Sequence, residues 1–202
     1  VLKTVELVIL AFRVRLSSFP PDLGYIQQYK NSYGKDQTYP VKQKANKMAN
    51  IFLISDLHLG HIGVTQFLNE DGSKLRPWDN IEDMDEALIS NWNSVVTNKC
   101  KVYVLGDVVI NRKHFHKLSR LMGEKVLIKG NHDIFRLEEY TPYFKDVRAY
   151  HVLDKMIMSH IPVHPRSQGR FRANIHGHLH SNNIMLGDMK DPFYFNVSVE
   201  QI

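Results

Sequence analysis

From residue 50 onward the chain repeats one pattern, a short apolar run and then a polar cluster. Runs at 51–55, 102–105, 126–129, 156–158 and 173–176 lead into Asp56-Leu57-His58, Gly106-Asp107, Gly130-Asn131-His132-Asp133, Ser159-His160 and Gly177-His178-Leu179-His180. Short apolar runs bounded by turn formers predict buried strands. Their polar ends then collect ligand-type side chains on one rim of a sheet.

Between the first two runs, Ile81, Met84, Leu88, Trp92 and Val95 or Val96 recur at spacings of three and four. That predicts a helix with one apolar stripe, N-capped by Asn80 and helped by Asp83 in its first turn. A shorter helix is predicted over 113–122 from Phe115, Leu118 and Met122, ended by Gly123. Strand, helix, strand, helix, strand implies right-handed crossovers and a parallel sheet. After Asp133 the helical periodicity stops. Runs at 147–152, 156–158, 173–176 and 193–199 predict a second, more antiparallel sheet packed on the first, giving an α/β fold of two sheets with helices outside.

Residues 1–47 read differently. A strand-like stretch over 4–16 passes through Ser17-Ser18-Phe19-Pro20-Pro21 into a polar, Tyr- and Lys-rich segment without periodicity. Met48-Ala49 resembles a natural start, so 1–47 is expected to be an N-terminal extension outside the catalytic core and 48–202 the functional domain.

Charge sharpens this division. The chain has a formal net charge of +5, which by itself would suggest an acidic partner. Residues 1–47 carry eight Lys/Arg and three Asp/Glu, whereas the remainder carries eighteen of each. Basicity is therefore no argument for what the body binds. All eleven histidines follow Met48. Cys100 is the single cysteine, which excludes an internal disulfide and fits a reducing, cytoplasmic setting. The apolar stretch at 7–12 is too short to span a bilayer, so no membrane partner is expected.

The polar clusters supply Asp56, His58, Asp107, Asn131, His160, His178 and His180, a mixed oxygen and nitrogen set without thiolates. Such ligands suit Mn, Fe, Zn or Ni rather than a structural thiolate-zinc site. Seven ligands exceed the needs of one ion and match two ions sharing a bridging carboxylate, an arrangement used for phosphoester hydrolysis.

In order and spacing, Asp-x-His, Gly-Asp, Gly-Asn-His-Asp, His and Gly-His-x-His resemble the calcineurin-like metallophosphoesterases over roughly residues 50–200. The likeness is nearest to the small phosphoesterases of bacteria and their phages. The resemblance implies a four-layer α-β-β-α sandwich of two mixed sheets and a centre of two divalent metal ions, manganese first among them. Asp56, His58 and His180 would hold one ion and Asn131, His160 and His178 the other. Asp107 would bridge them with one carboxylate oxygen to each. The bridged hydroxide would attack phosphorus, and His132 would act as general acid on the leaving oxygen.

Around this set, His61 and Arg76 in the long loop after the first cluster, and Arg170 with His164, Arg166 and Arg172 in the loop after His160, form a candidate substrate rim. Asp133 is expected to orient loop backbone, and His176 to point away from the site. Protein serine/threonine phosphatases of the superfamily carry an Asp where this chain has Ile110. Phosphodiesters of nucleotides or nucleic acid are therefore the favoured substrates. A phosphomonoesterase acting on phosphoprotein or small metabolites, and a non-catalytic metal-binding scaffold, are the alternatives. The oligomeric state is open.

Overall fold

A computed structural model describes residues 51–201. The extension expected over 1–47 lies outside the described residues. The first sheet has the order β1 (Ile51–Ile54), β2 (Lys101–Val104), β3 (Glu124–Ile128), β4 (Asp146–Arg148), and all of its pairings are parallel. Helix α1 (Ile81–Val95) crosses from β1 to β2 and starts where the sequence indicates, with the Asn80 side chain accepting from Asp83 N at 2.8 Å. The expected helix after β2 is instead a 3-10 helix, Arg112–Arg120. It buries Phe115 and Leu118, and Leu121 just beyond it, where Met122 was expected. Spacings of three stack on one face of a three-residue turn, which so short an apolar pattern cannot tell from an α-helix. A short helix α2 (Leu137–Tyr140) precedes β4.

The run at 147–152 is divided between two sheets. β4 closes the first sheet, and after Ala149-Tyr150 the chain enters β5 (His151–Leu153) at the edge of the second. An apolar run does not record where its hydrogen-bonding partner changes. The second sheet runs β5, β6 (Met156–Met158), β7 (Ala173–His176), β10 (Tyr194–Asn196). Only β5–β6 is antiparallel, joined through Asp154 and Lys155 at φ 47° and 61°, the left-handed pair of a tight hairpin turn. The β6–β7 and β7–β10 pairs are parallel, so the expectation of a more antiparallel second sheet is corrected. Loops carry these crossovers where helices are the usual solution. A small hairpin, β8 (Met185–Leu186) with β9 (Met189–Lys190), interrupts the second crossover.

Strand alternation sorts the core. Phe52, Ile54, Val102, Val104 and Leu127 face α1 and the 3-10 helix. Leu53, Tyr103, Leu105, Val126 and Ile128 face the second sheet and meet Met156, Met158, Ala173 and Ile175. The two sheets thus pack face to face. On the far side of the second sheet, Asn174 binds Val163 N at 2.8 Å and Tyr194 Oη donates to Val163 O at 2.8 Å, so the loop over 161–172 covers that face. Helices α1 and α2 and the 3-10 helix over 112–120 pack their buried hydrophobic side chains into the cluster on the first sheet. After β10 the chain turns back to the first sheet: Ser55 pairs in parallel with Ser198, with Ser55 N donating to Val197 O at 2.8 Å. That stitch closes the sandwich beside the ends of β1 and β7, where the polar clusters emerge. No helix among the described residues is long and apolar enough to cross a membrane.

Candidate metal centre

The strand ends turn sharply into the site. Asp56, His58, Asp107, His178 and His180 have φ of 59°, 48°, 54°, 70° and 51°. Left-handed backbone costs a non-glycine residue about 1 kcal/mol or more, so five instances need a surrounding that enforces them. Hydrogen bonds provide it. Asp56 N donates to Gly106 O at 3.0 Å and His58 N to Asp107 O at 2.9 Å, locking the first two turns together. Asp133, buried behind them, accepts from Asp107 N, Val108 N and Gly130 N at 2.9, 3.0 and 2.8 Å. It orients loop backbone, as expected, although burial pushes its carboxyl up from the usual range. Asp56 Oδ2 accepts from His178 N and Ser198 Oγ at 2.9 and 2.8 Å, which leaves Oδ1 for the site.

Two glycines make the turns possible by lacking a side chain. A Cβ at Gly177 would stand 1.9 Å from Ser55 Oγ and 2.4 Å from Asp56 Oδ2, and one at Gly130 would stand 2.2 Å from Asp107 Oδ1. Gly177→Ala is therefore expected to displace Asp56, lowering stability by about 1–3 kcal/mol and weakening cation binding. Thermal unfolding and calorimetric titration with Mn2+ measure both, and wild-type values in the variant would refute the close fit.

Two overlapping groups of donor atoms result, Asp56 with His58 and His180, and Asp56 with Asp107 and His160, each set lying within 4.8 Å. Asp107 Oδ2 stands 3.6 Å from His58 Nε2 and 3.4 Å from His160 Nε2. Asp107 Oδ1 accepts from His132 N at 2.9 Å. Asp107 Oδ2 thus lies near a nitrogen of each group. Asn131 Oδ1 lies 2.8 Å from His160 Nε2 and 3.0 Å from His178 Nδ1, completing the second group.

Several atoms here lack the partners that burial demands. Asp56 Oδ1 and both nitrogens of His58 are buried without a hydrogen-bond partner among the described residues. Burial, with the Arg76 charge next, holds the His58 imidazole down at about 2, so it is a neutral lone-pair donor at neutral pH. His160 Nδ1 lies 2.7 Å from Leu105 O and His180 Nδ1 3.0 Å from Glu200 Oε1. With those nitrogens donating, each Nε2 is left as a lone pair. Buried acceptors facing one another require positive charge between them, so the residues present fit divalent cations.

Protons are the competing charge. Burial opposes protonation of His160 and His180, but Asp107 beside the first and Glu200 bonded to the second raise both above 6.5. Burial also works against the Asp107 charge, yet the His160 contact, the His132 N–H and His58 bring it down to about 2. Cation binding must release the two imidazole protons, so apparent affinity is expected to fall as pH drops, beginning above 6.5. Calorimetric titration with Mn2+ from about pH 8 to 6 should show this decline with protons released, and a flat profile would refute it.

The remaining candidates separate. His132 is half-buried with its ring 5.6 Å from that of His58, and His61 is half-buried 5.5 Å from the same ring. Arg170 is exposed, its guanidinium over Phe171. Arg76 is a correction. It is 1% exposed, donates to Leu57 O and Asp56 O, and pairs with Glu200 at 2.8 Å. A guanidinium so enclosed secures the backbone of the first cluster rather than lining a substrate rim. His176, also buried, bonds its own neighbour Gly177 O at 2.8 Å. Glu200 escaped the sequence reading because it lies in no ligand motif. No local alternation marks it, since Val199 and Glu200 lie in a turn.

Fold and site define an α/β protein with a carboxylate–imidazole–amide centre suited to cations, buried at Asp56, His58, Asp107 and His160 and open at Asn131. No family model matches the chain. It is 35% identical over 165 residues to the uncharacterized protein MJ1445 of Methanocaldococcus jannaschii, covering 77% of this chain and 84% of that protein. It is 30% identical over 192 residues to the Gene 66 protein of Mycobacterium phage D29, covering 76% of this chain and 89% of the phage protein. The chain belongs to the family that contains these two proteins. Its fold is similar to that of the protein of unknown function AQ665 from Aquifex aeolicus, with a TM-score of 0.54 at 22% identity over 75% of this chain and 90% of that one.

Proposed function

We propose that this protein is a metallophosphoesterase of the calcineurin-like type, built as a reduced α-β-β-α sandwich and hydrolysing phosphodiesters of nucleotides or nucleic acid. The observation that carries the reading is the convergence of unpartnered Asp56 Oδ1 and His58 Nε2 with Asp107 Oδ2 and the Asn131, His160 and His178 donors. Asp56, His58 and His180 would hold one ion, Asn131, His160 and His178 the other, with Asp107 Oδ2 shared. Two divalent cations, Mn2+ foremost and Fe, Zn or Ni as alternatives, would supply an acidified water and neutralise phosphate oxygens. Glu200 and Leu105 O fix the ring orientations of His180 and His160. His132 is tied at its backbone to Asp107 Oδ1, and its half-buried imidazole can deliver a proton to the leaving oxygen.

The test is direct. Protein stripped with a chelator should lose hydrolysis of bis-p-nitrophenyl phosphate and regain it with Mn2+, with two ions bound per chain. Preference for p-nitrophenyl phosphate would make it a monoesterase, and absence of turnover with both ions bound would leave a metal-binding scaffold.

A further inference from the structure

Beside the centre, the loop after His58 presents large apolar side chains to solvent: Ile62, Phe67 and Leu68 are 59%, 49% and 63% exposed. Burying such residues is the default, and three within seven positions of a loop beside the polar centre leave apolar surface that a ligand can cover. The loop is also held in place. Phe67 N donates to Gly63 O at 3.1 Å and Leu75 N to Phe67 O at 2.8 Å, while Leu68 pairs with Lys74. Its tip is pinned to the chain just past His180, where Ser181 Oγ donates to Asn69 Oδ1 at 2.7 Å.

The aromatic ring connects to the chemistry. Phe67 meets His61 edge-on at 6.0 Å, and His61 in turn stands 5.5 Å from His58. Both rings close over Gly63, where a Cβ would lie 3.0 Å from His61 Nε2 and 3.3 Å from Phe67 Cζ. We infer that Phe67, edge-on to His61, is a stacking subsite for a flat ring carried by the phosphoester, so that the substrate class is an aryl or nucleoside ester rather than an alkyl or sugar phosphate. The inference rests on the phosphoesterase reading above. A flat π-face is the chemistry that an exposed, backbone-anchored phenyl ring recognises, and anchoring reduces the entropy lost on stacking.

Binding, rather than turnover, tests it. Calorimetric titrations of the Mn2+-loaded protein compare phenylphosphonate with methylphosphonate, and thymidine 5′-phosphate with ribose 5-phosphate. The ring-bearing ligand of each pair should bind at least about fivefold more tightly, and Phe67→Ala should erase the difference while Phe67→Trp keeps it. A gain confined to the thymidine pair narrows the subsite to nucleosides, and one confined to the phosphonates narrows it to aryl esters. Equal ratios in wild type and in a Phe67→Ala variant of unchanged melting temperature, or no binding by any of the four, overturn the inference. Phe67-dependent binding without hydrolysis of any diester would instead overturn the catalytic reading and leave the subsite standing.

Discussion

Asp107→Asn is expected to abolish turnover of bis-p-nitrophenyl phosphate and to remove at least one of two bound cations, with the fold intact. The asparagine is nearly isosteric, and its amide oxygen can still accept from His132 N where Asp107 Oδ1 now does at 2.9 Å. What disappears is the negative charge at Oδ2, the atom that lies 3.6 Å from His58 Nε2 and 3.4 Å from His160 Nε2. Losing a group that merely orients a ligand typically costs about 10–100-fold in affinity or activity, and loss of the shared ligand should exceed that. Elemental analysis, turnover and thermal unfolding read the three consequences separately. An Asp107→Asn variant that keeps both ions and wild-type turnover would remove the foundation of the proposed site.

Arg76→Met is expected to act on stability instead. Its guanidinium is 2% exposed against a Glu200 side chain 4% exposed, and it donates to two carbonyls of the first cluster. Removing one partner leaves Glu200 buried with only His180 as cationic neighbour. Such losses cost about 3–5 kcal/mol. For a chain of this size each kcal/mol lowers the melting temperature by about 2–4 °C. Adding Glu200→Gln should recover part of the loss, because the uncompensated carboxylate is then gone. If Arg76 were a substrate contact, KM would rise with the melting temperature unchanged.

Arg76 and Asp107 also show where sequence reading succeeds and where it stops. Asp107 is legible because Gly-Asp follows an apolar run, and a carboxylate at a strand end has few structural reasons to be there. Arg76 looks identical to any surface arginine in a polar loop, since nothing within several residues reveals that it is enclosed. Its partner Glu200 lies 124 positions away. The same limit divides the strands. β1, β2, β3 and α1 are written in local periodicity, whereas the split of 147–152 between sheets and the parallel β7–β10 pair depend on which backbone is opposite.

Residue types and short periods were enough to give the donor types, their order along the chain, the strands that deliver them and the helix that packs the first sheet. Each is a property of residue type or of a period spanning a few residues. It took the folded chain to bring one Asp107 oxygen near both donor groups, to put five of the candidate ligands in left-handed backbone, and to enclose Arg76 beside them. Those outcomes belong to contacts such as Ser198 with Asp56, 142 positions apart, which acquire an energy only when the two sheets close on one another.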